Sequence, residues 1–273
     1  MSPHNVLLID KPSGWTSFDV VAKIRSQIRA QYQARGEKPT KRQLKVGHSG
    51  TLDPFATGLL IILLGDACRQ ADEFRALDKV YEATVRLGAT STTGDPEGEI
   101  TESGRAGERE SGEAAELESL KVRKLESEAN GKAQTPYSNS HIPIARDPLE
   151  PISFEIQHVL QGFVGEITQT PPIYSAIKIN GERAYKLARA GKAVDMPSRQ
   201  VTIYSLELLD YAYPELRIRA HVSSGTYIRT LAEDIGRALG TGAYCSALRR
   251  TRIGKYDIAN AHSPTEIDID KLL

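Results

Sequence analysis

The chain is poor in cysteine and in long apolar runs, and each shortage excludes a class of protein. Its 273 residues include only two cysteines, Cys68 and Cys245, too few for a disulfide framework and without metal-site spacing. The longest apolar run is residues 59–64, far short of the ~20 residues that cross a bilayer. Residues 1–10 lack the basic and apolar regions of a secretory signal. These shortages predict a cytoplasmic protein without a structural metal.

The chain also lacks net charge, because 35 Lys and Arg residues balance 35 Asp and Glu residues. The balance is uneven along the sequence. Residues 95–130 hold 11 acidic and 5 basic residues, so this window carries −6 and the remainder carries +6. If the window is a solvated excursion, the folded body is basic, which favours a polyanion such as nucleic acid as partner.

The spacing of apolar residues predicts a mixture of helices and strands. Thr16 and Asp19 form a predicted capping box at the start of the first helix. The predicted helices cover 16–34, 113–125, 153–162, 182–190 and 226–239, and the predicted strands cover 5–9, 59–64, 79–87, 200–211, 215–223 and 249–258. Residues 95–150 are rich in Gly, Glu and Ser and predict a partly disordered insertion. Since no regular βαβ rhythm is present, we expect an α+β fold with an antiparallel or mixed sheet.

Residues 47–58 surround one carboxylate, Asp53, with a histidine, hydroxyl groups and three glycines. Asp53 is either a turn or capping residue before a proline or a catalytic carboxylate. The glycines allow other groups to approach closely, and the apolar run that follows would exclude water. A desolvated aspartate needs a neighbouring cation to stay ionised, and a nucleophilic carboxylate must be ionised.

Three other side chains also have a structural and a chemical interpretation. Arg229 lies near the start of a predicted helix, where the helix dipole does not stabilise a positive charge. It is therefore either a surface residue or a residue that faces a carboxylate. Tyr81 is a core residue, or its ring stacks on a base removed from its own stack. His48 is a core or loop histidine, or a wedge that fills the vacated space. The residues alone leave these alternatives open.

Taken together, these segments resemble the TruB family of tRNA pseudouridine synthases. The resemblance rests first on residues 47–54 and 56–60. Further matching segments are residues 10–12, 79–82, 169–178, 225–229 and 248–250. Their order and approximate spacing cover residues 5 to about 258, and the set of linked motifs is far more specific than any one of them.

The resemblance implies a pseudouridine synthase fold, with a mixed, mainly antiparallel sheet and a central catalytic cleft flanked by helices and loops. It implies isomerisation of uridine to pseudouridine at position 55, in the T loop of tRNA. Because nothing leaves the site in this reaction, neither a metal nor a redox cofactor is required. The expected partner is the T arm of tRNA, and the expected state is a monomer.

The resemblance also assigns roles by position. Asp53 matches the catalytic aspartate, Arg229 its partner, and Tyr81 the tyrosine that stacks on the extruded uracil. The remaining matches are Tyr227 and Leu248 in the uridine pocket, His48 as the residue that enters the T loop, and Lys11 in a structural role.

Residues 170–192 match a mobile thumb segment of the family. Its basic residues suit phosphate contacts. The predicted RNA contacts are Lys178, Arg183, Lys186 and Arg189, with Lys192 as a further basic residue. An ordinary amphipathic hairpin and helix is the alternative. The acidic insertion would repel RNA, so we expect it to project away from the cleft.

We expect a catalytic domain over residues 1–262, a tail over 263–273 and no PUA domain. Two alternative functions remain: a guide-RNA-dependent pseudouridine synthase and a tRNA-binding chaperone without catalysis. A glycosidase is disfavoured because it would need a second cooperating carboxylate, and no second acid lies in a matching motif.

Overall fold

The computed structural model describes residues 5–103, 151–175, 177–179, 181–191 and 195–267. The strands are β1 (Val6–Lys11), β2 (Val46–His48), β3 (Thr57–Leu64), β4 (Lys79–Leu87), β5 (Ala89–Ser91), β6 (Ile100–Glu102), β7 (Gly165–Gln169), β8 (Lys178–Ile179), β9 (Glu182–Arg183), β10 (Arg199–Ala212), β11 (Glu215–Val222), β12 (Ala243–Ile253) and β13 (Tyr256–Asp257). The helices are α1 (Ser17–Ala34), α2 (Ala71–Ala76), α3 (Ser153–Gly162), α4 (Ala184–Arg189) and α5 (Ile228–Ala238), with 3-10 turns at Gly65–Gln70 and Ile258–Asn260.

A nine-stranded sheet organises the described residues, in the order β1-β3-β12-β4-β11-β10-β7. Strand β2 pairs with β3, and β13 pairs with β12. All pairs are antiparallel except β3 with β12, which run parallel where Thr57 and Gly58 lie opposite Arg249 and Arg250. The predicted α+β fold with a mixed, mainly antiparallel sheet is therefore confirmed.

The apolar pattern of each strand explains which faces are covered. In β4 the alternation predicted from the sequence places Tyr81 on the same buried face as Ala83, Val85 and Leu87. The side chains of α5 and α3 pack in this same cluster. Strand β3 is buried on both faces, with Leu60 and Ile62 towards α1 and Leu59 in a separate cluster. A continuous apolar run is typical of such a strand.

The start of one helix agrees with the prediction, and the ends of two other elements differ from it. Helix α1 begins after Thr16 with the predicted capping box, in which Thr16 and Asp19 form hydrogen bonds with each other. Helix α4 is shorter than predicted because Glu182–Arg183 pairs with β8 as a hairpin. Strand β12 begins at Ala243, earlier than predicted, and a register shift between Cys245 and Ala247 interrupts its alternation.

The predicted insertion begins inside folded structure. Strands β5 and β6 form a hairpin that includes residues 95–99 in its loop, and Asp95 is buried. The rest of the insertion, residues 104–150, lies outside the described residues, as does the helix predicted at 113–125. At the other end, His262 bridges to Ile9 of β1. None of the helices in the described ranges has the length and hydropathy needed to cross a membrane.

Candidate active site

Asp53 lies in the loop between β2 and β3, and a buried arginine of β12 holds this loop in place. Arg250 is 2% exposed, and its Nε donates to the carbonyl of Leu59 at 2.8 Å. Its Nη atoms donate at 3.4 and 3.5 Å to the carbonyls of Gly50 and Thr51. The guanidinium thus ties both ends of the segment around Asp53 to the central sheet.

Lys11, at the end of β1, fixes the residue that follows Asp53. The Nζ atom donates to the carbonyls of Trp15 at 2.6 Å, Pro12 at 2.9 Å and Pro54 at 3.3 Å. Burial lowers the pKa of Lys11 to about 8, and the nearby carboxylate of Asp53 opposes this shift. Among the residues that the structure describes, Lys11 bonds three backbone carbonyls and no acidic side chain, so the ammonium group is a local positive charge beside the site.

The first residues of α5 bring Arg229 to the carboxylate. Its Nε lies 3.0 Å from Asp53 Oδ2, and its Nη1 donates at 2.9 Å to Asp95 Oδ2 and to the carbonyl of Thr93. Its Nη2 donates to the carbonyl of Tyr174 at 3.0 Å. Arg229 is only 3% exposed, so the guanidinium is held in one orientation by three separate segments of the chain.

The electrostatics of Asp53 are set by burial first. Desolvation raises the pKa of its carboxyl above the ordinary 3.8, Arg229 opposes the rise, and the charge of Asp95 adds to it. Burial and the neighbouring carboxylates likewise raise the pKa of Glu97. The ion pair with Arg229 therefore supports a charge that its surroundings disfavour.

A small cavity of about 300 Å³ opens beside this pair. The predicted residues that line it are Asp53, Arg229, Tyr81, Tyr227 and Leu248. Its volume is at the lower end of the range for small-molecule sites. A carboxylate, a guanidinium and two aromatic rings therefore line the same cavity.

Neighbouring side chains contact the two tyrosines that line the small cavity. The ring of Tyr81 has the guanidinium of Arg250 at 6.0 Å from its centroid. Gln169 accepts from the backbone N–H of Tyr227 at 2.8 Å and donates to its carbonyl at 3.0 Å. The guanidinium of Arg199 lies 4.9 Å from the centre of the Tyr227 ring. Each tyrosine is therefore held in position by neighbouring groups, Tyr81 by Arg250 and Tyr227 by Gln169 and Arg199.

A large cavity of about 920 Å³ shares Asp53 and Arg229 with the small one. Its walls also include His48 and three of the predicted RNA-contacting residues, Arg183, Lys186 and Arg189. Desolvation lowers the pKa of His48, and its Nδ1 accepts a long hydrogen bond, 3.4 Å, from the backbone N–H of Gly50. Lys178 is exposed and lines neither of these two cavities.

The acidic loop after β5, which is the described start of the insertion, forms part of the large cavity, contrary to the expectation that the insertion projects away from the cleft; residues 104–150 lie outside the described residues. Asp95, Glu97 and Glu99 all line it. The reason is that Arg229 needs a second acceptor in a buried site, and Asp95 supplies it. Sequence reasoning missed Asp95; the signal was a Gly-Asp pair, residues 94–95, directly after a strand and before the low-complexity stretch.

The part of the chain that the structure describes contains no group of three or more His, Cys, Asp or Glu side chains arranged to hold a metal ion. The two cavities beside Asp53 and Arg229 are lined by carboxylates, guanidinium groups, hydroxyl groups and aromatic rings.

Solved structures share this fold. A chain in the crystal structure of a Cbf5-Nop10-Gar1 complex superposes with a TM-score of 0.56 and 26% identity, over 93% of this chain and 50% of that one. A chain in the crystal structure of the archaeal box H/ACA sRNP Nop10-Cbf5 complex matches in fold with a TM-score of 0.54 and 23% identity. Our chain thus spans about half of these solved chains, and its fold is that of the pseudouridine synthases.

Sequence comparison gives the family. The model described as TruB family pseudouridylate synthase (N terminal domain) matches residues 38–142 and 118–228, and the tRNA pseudouridylate synthase B C-terminal domain matches residues 229–269. The tRNA pseudouridine synthase B of Parabacteroides distasonis is 39% identical over 96% of this chain and 91% of its own length. That of Phocaeicola vulgatus is 40% identical over 91% and 85%. The chain belongs to the TruB family of pseudouridylate synthases.

Proposed function

We propose that this protein isomerises uridine to pseudouridine at position 55, in the T loop of tRNA, with Asp53 as the catalytic carboxylate. The observation that carries the proposal is the ion pair between Asp53 and Arg229 at the wall of a cavity that Tyr81 also lines. An extruded uridine in that cavity would meet the carboxylate and an aromatic face together.

In this reaction the bond between ribose C1′ and uracil N1 breaks, the uracil turns, and a bond forms between C1′ and C5. The C5 proton is lost and N1 gains a proton, so the atoms balance without an added reagent. A charged Asp53 could add to C1′ or to uracil C6, or could take the C2′ proton. In each path the carboxylate must be ionised, and Arg229 favours that state. The enclosed cavity would keep the detached uracil next to the ribose.

The nature of the RNA follows from the relatives. Those at 39% and 40% identity over most of both chains carry the name tRNA pseudouridine synthase B. The chain from the Cbf5-Nop10-Gar1 complex matches at 26% and only over half of its length. This difference favours a stand-alone tRNA enzyme over a guide-RNA-dependent one. The cytoplasm and a monomer remain our expectations for its location and state.

The roles of the other residues follow from their positions. We assign Tyr81 to stacking on the uracil, and Tyr227 and Leu248 to the pocket around it. We assign His48, at the wall of the large cavity, to the space that the extruded nucleotide leaves in the T loop. The exposed cations Arg183, Lys186 and Arg189 face the same cavity and suit the phosphates of the T arm. Lys178 stays a prediction from the sequence alone.

Replacement of the carboxylate tests the assignment. Asp53→Asn keeps the shape of the side chain but cannot act as a nucleophile or base, so we expect no detectable pseudouridine in an unmodified tRNA transcript. Binding of the same tRNA should stay nearly unchanged, because phosphate and shape contacts dominate affinity.

The matched control is Asp66→Asn, a surface aspartate paired with Arg42, which should retain full activity. Pseudouridine is measured by mass spectrometry of nuclease fragments, and binding by filter retention. An active Asp53→Asn enzyme would remove Asp53 from the chemistry. A wild-type protein that forms no pseudouridine in tRNA would defeat the proposed function as a whole.

A further inference from the structure

Unpaired polar atoms concentrate at the small cavity. In the described residues, six buried side-chain nitrogen or oxygen atoms have no hydrogen-bond partner. They are Gln27 Oε1, Ser49 Oγ, Ser175 Oγ, Arg199 Nε, Arg229 Nε and Arg252 Nε. Four of these six belong to residues that line the small cavity, namely Ser49, Ser175, Arg199 and Arg229. Arg229 has an explanation, since its Nε faces Asp53 at 3.0 Å, but the two serines have none in the free protein.

Ser49 lies four residues before Asp53, between His48 and Gly50. Its backbone N–H donates to the carbonyl of Ile61 at 3.1 Å, so the backbone is fixed by β3. The residue is 1% exposed, and its hydroxyl has neither solvent nor a hydrogen-bond partner among the described residues. Replacement of Ser49 by alanine would therefore remove no hydrogen bond that its hydroxyl makes in the free protein.

Ser175 lines the small cavity from a different segment of the chain, at the start of the thumb segment. It follows Tyr174, whose carbonyl accepts from Arg229, and it lines both the small and the large cavity. It is 4% exposed. Its Oγ, like that of Ser49, has no hydrogen-bond partner within the described residues.

A buried hydroxyl without a partner leaves the free protein with the uncompensated cost of removing that group from water. Buried polar groups in folded proteins are nearly always paired, so each exception requires an explanation. Two exceptions at one catalytic cavity have a common explanation if the missing partner is the substrate. A nucleotide offers both acceptors and donors on its base edge and sugar, and a serine hydroxyl can donate and accept.

We propose that the hydroxyls of Ser49 and Ser175 are further substrate-positioning groups, which hydrogen-bond the polar atoms of the extruded pyrimidine nucleotide. This inference rests on the proposed function. When the nucleotide enters the small cavity, the cost of the unpaired hydroxyls is recovered in binding. The two serines belong to separate segments of the chain, and together their hydroxyls fix the rotation of the nucleotide beside Asp53.

The test compares stability and activity in Ser49→Ala and Ser175→Ala. In the free protein neither variant loses a hydrogen bond, so the melting temperature should equal or exceed that of the wild type. With unmodified tRNA transcript, kcat/KM should fall by about 3- to 30-fold in each, the loss of one hydrogen bond. A Ser→Cys variant at either position has a side chain of similar size whose thiol is a weaker hydrogen-bond donor than the hydroxyl. Its kcat/KM should lie between that of the wild type and that of the alanine variant.

The matched control is Ser246→Ala. The hydroxyl of Ser246 donates to the carbonyl of Thr84 at 3.1 Å and the residue does not line the small cavity, so this variant should melt lower with kcat/KM unchanged. A lowered melting temperature in a Ser49 or Ser175 variant would show that its hydroxyl is already paired and would overturn the proposal for that serine. So would an unchanged kcat/KM. If the wild type proves inactive on tRNA, the proposed function fails, and the melting temperatures still decide whether the hydroxyls are unpaired.

Discussion

Arg229 is the residue on which the geometry of the site converges. It joins Asp53, Asp95 and the carbonyls of Thr93 and Tyr174. A guanidinium presents its donors in a fixed planar fork, so these acceptors determine its orientation. Lysine at the same position would offer one point charge and could not satisfy all of these groups.

The contribution of Asp95 can be measured by Asp95→Asn. Breaking a buried ion pair costs about 3–5 kcal/mol, and because Arg229 keeps Asp53 as partner we expect a loss near the lower end, about 3 kcal/mol of unfolding free energy. A displaced guanidinium should also reduce the single-turnover rate by about 100-fold.

Denaturant unfolding and rapid-quench assays give these two values. Asp234→Asn is the control, since its partner Arg237 is exposed, and it should cost less than about 1 kcal/mol. Equal stability of Asp95→Asn and wild type would contradict the structural role of Asp95.

The raised pKa of Asp53 predicts opposite pH effects on activity and stability. The proposed role of Asp53 requires the ionised form, so the single-turnover rate should fall with decreasing pH at values above the ordinary 3.8. For stability, the folded state binds the proton more tightly than the unfolded chain. The carboxylate therefore destabilises the fold above its folded pKa, and this cost is absent below the unfolded pKa.

We accordingly expect Asp53→Asn to gain stability over the wild type at pH 7 and to lose that gain as the pH falls towards 4. Rate–pH profiles and thermal melts check the two effects, with circular dichroism to confirm that the fold persists. A rate that stays constant down to pH 4 would show that burial does not raise this pKa.

At the scale of elements, the parallel contact between β3 and β12 positions the loop that contains Asp53. Gly58 has φ +105°, a conformation that side chains rarely adopt. A Cβ there would lie 2.7 Å from the backbone nitrogen of Arg250. The two strands can approach closely only because this position has no side chain, and the same approach brings Arg250 under the loop of Asp53.

Gly58→Ala should therefore be strongly destabilising. Backbone strain and steric overlap together predict a loss of about 3 kcal/mol or more, measured by denaturant unfolding. Gly162→Ala, near the end of α3 with open space around it, is the matched control and should be neutral or slightly stabilising. A Gly58→Ala protein as stable as the control variant would show that the strands can separate without cost.

Elements with a strong local signal were predictable, and those formed by pairing with distant segments were not. The capping box of α1 and the alternation of β4 are local, and both are confirmed. Strand β12 extends further than predicted because its early residues are ordered by β4. The hairpin of β5 and β6 lies in acidic, polar sequence whose order comes from Arg229 and Asp95.

At the scale of the molecule, the site is a meeting point of segments far apart in the chain. Most of the strands of the sheet lie between Asp53 and Arg229 in the sequence. Helix α4 of the thumb segment contributes the cations Lys186 and Arg189 to the large cavity, which both of these residues line. The loop after β5 adds three acidic residues to this cavity, Asp95, Glu97 and Glu99. A phosphate backbone would thus be attracted by the thumb cations and repelled by these acidic residues.

The salt dependence of tRNA binding tests this arrangement. The double variant Arg183→Ala/Lys186→Ala should reduce the slope of log Kobs against log salt concentration by roughly 0.7 for each phosphate that the variant no longer neutralises. Fluorescence anisotropy at several KCl concentrations gives the slope. Lys255→Ala, at a residue beside Tyr256 and outside both cavities, should leave it unchanged. Equal slopes in the double variant and the wild type would exclude phosphate contacts by these two residues.

The sequence by itself determined the family and the α+β class, and it predicted Asp53, Arg229 and Tyr81 as site residues, because the motifs that contain them are contiguous and specific. Only the tertiary structure decided that Asp95 completes the buried ion pair and that the start of the acidic segment lines a cavity. It also decided that two serine hydroxyls which line the cavity of Asp53 have no hydrogen-bond partner among the described residues. Burial and hydrogen-bond partners arise when distant segments meet, and no local pattern in the chain encodes them.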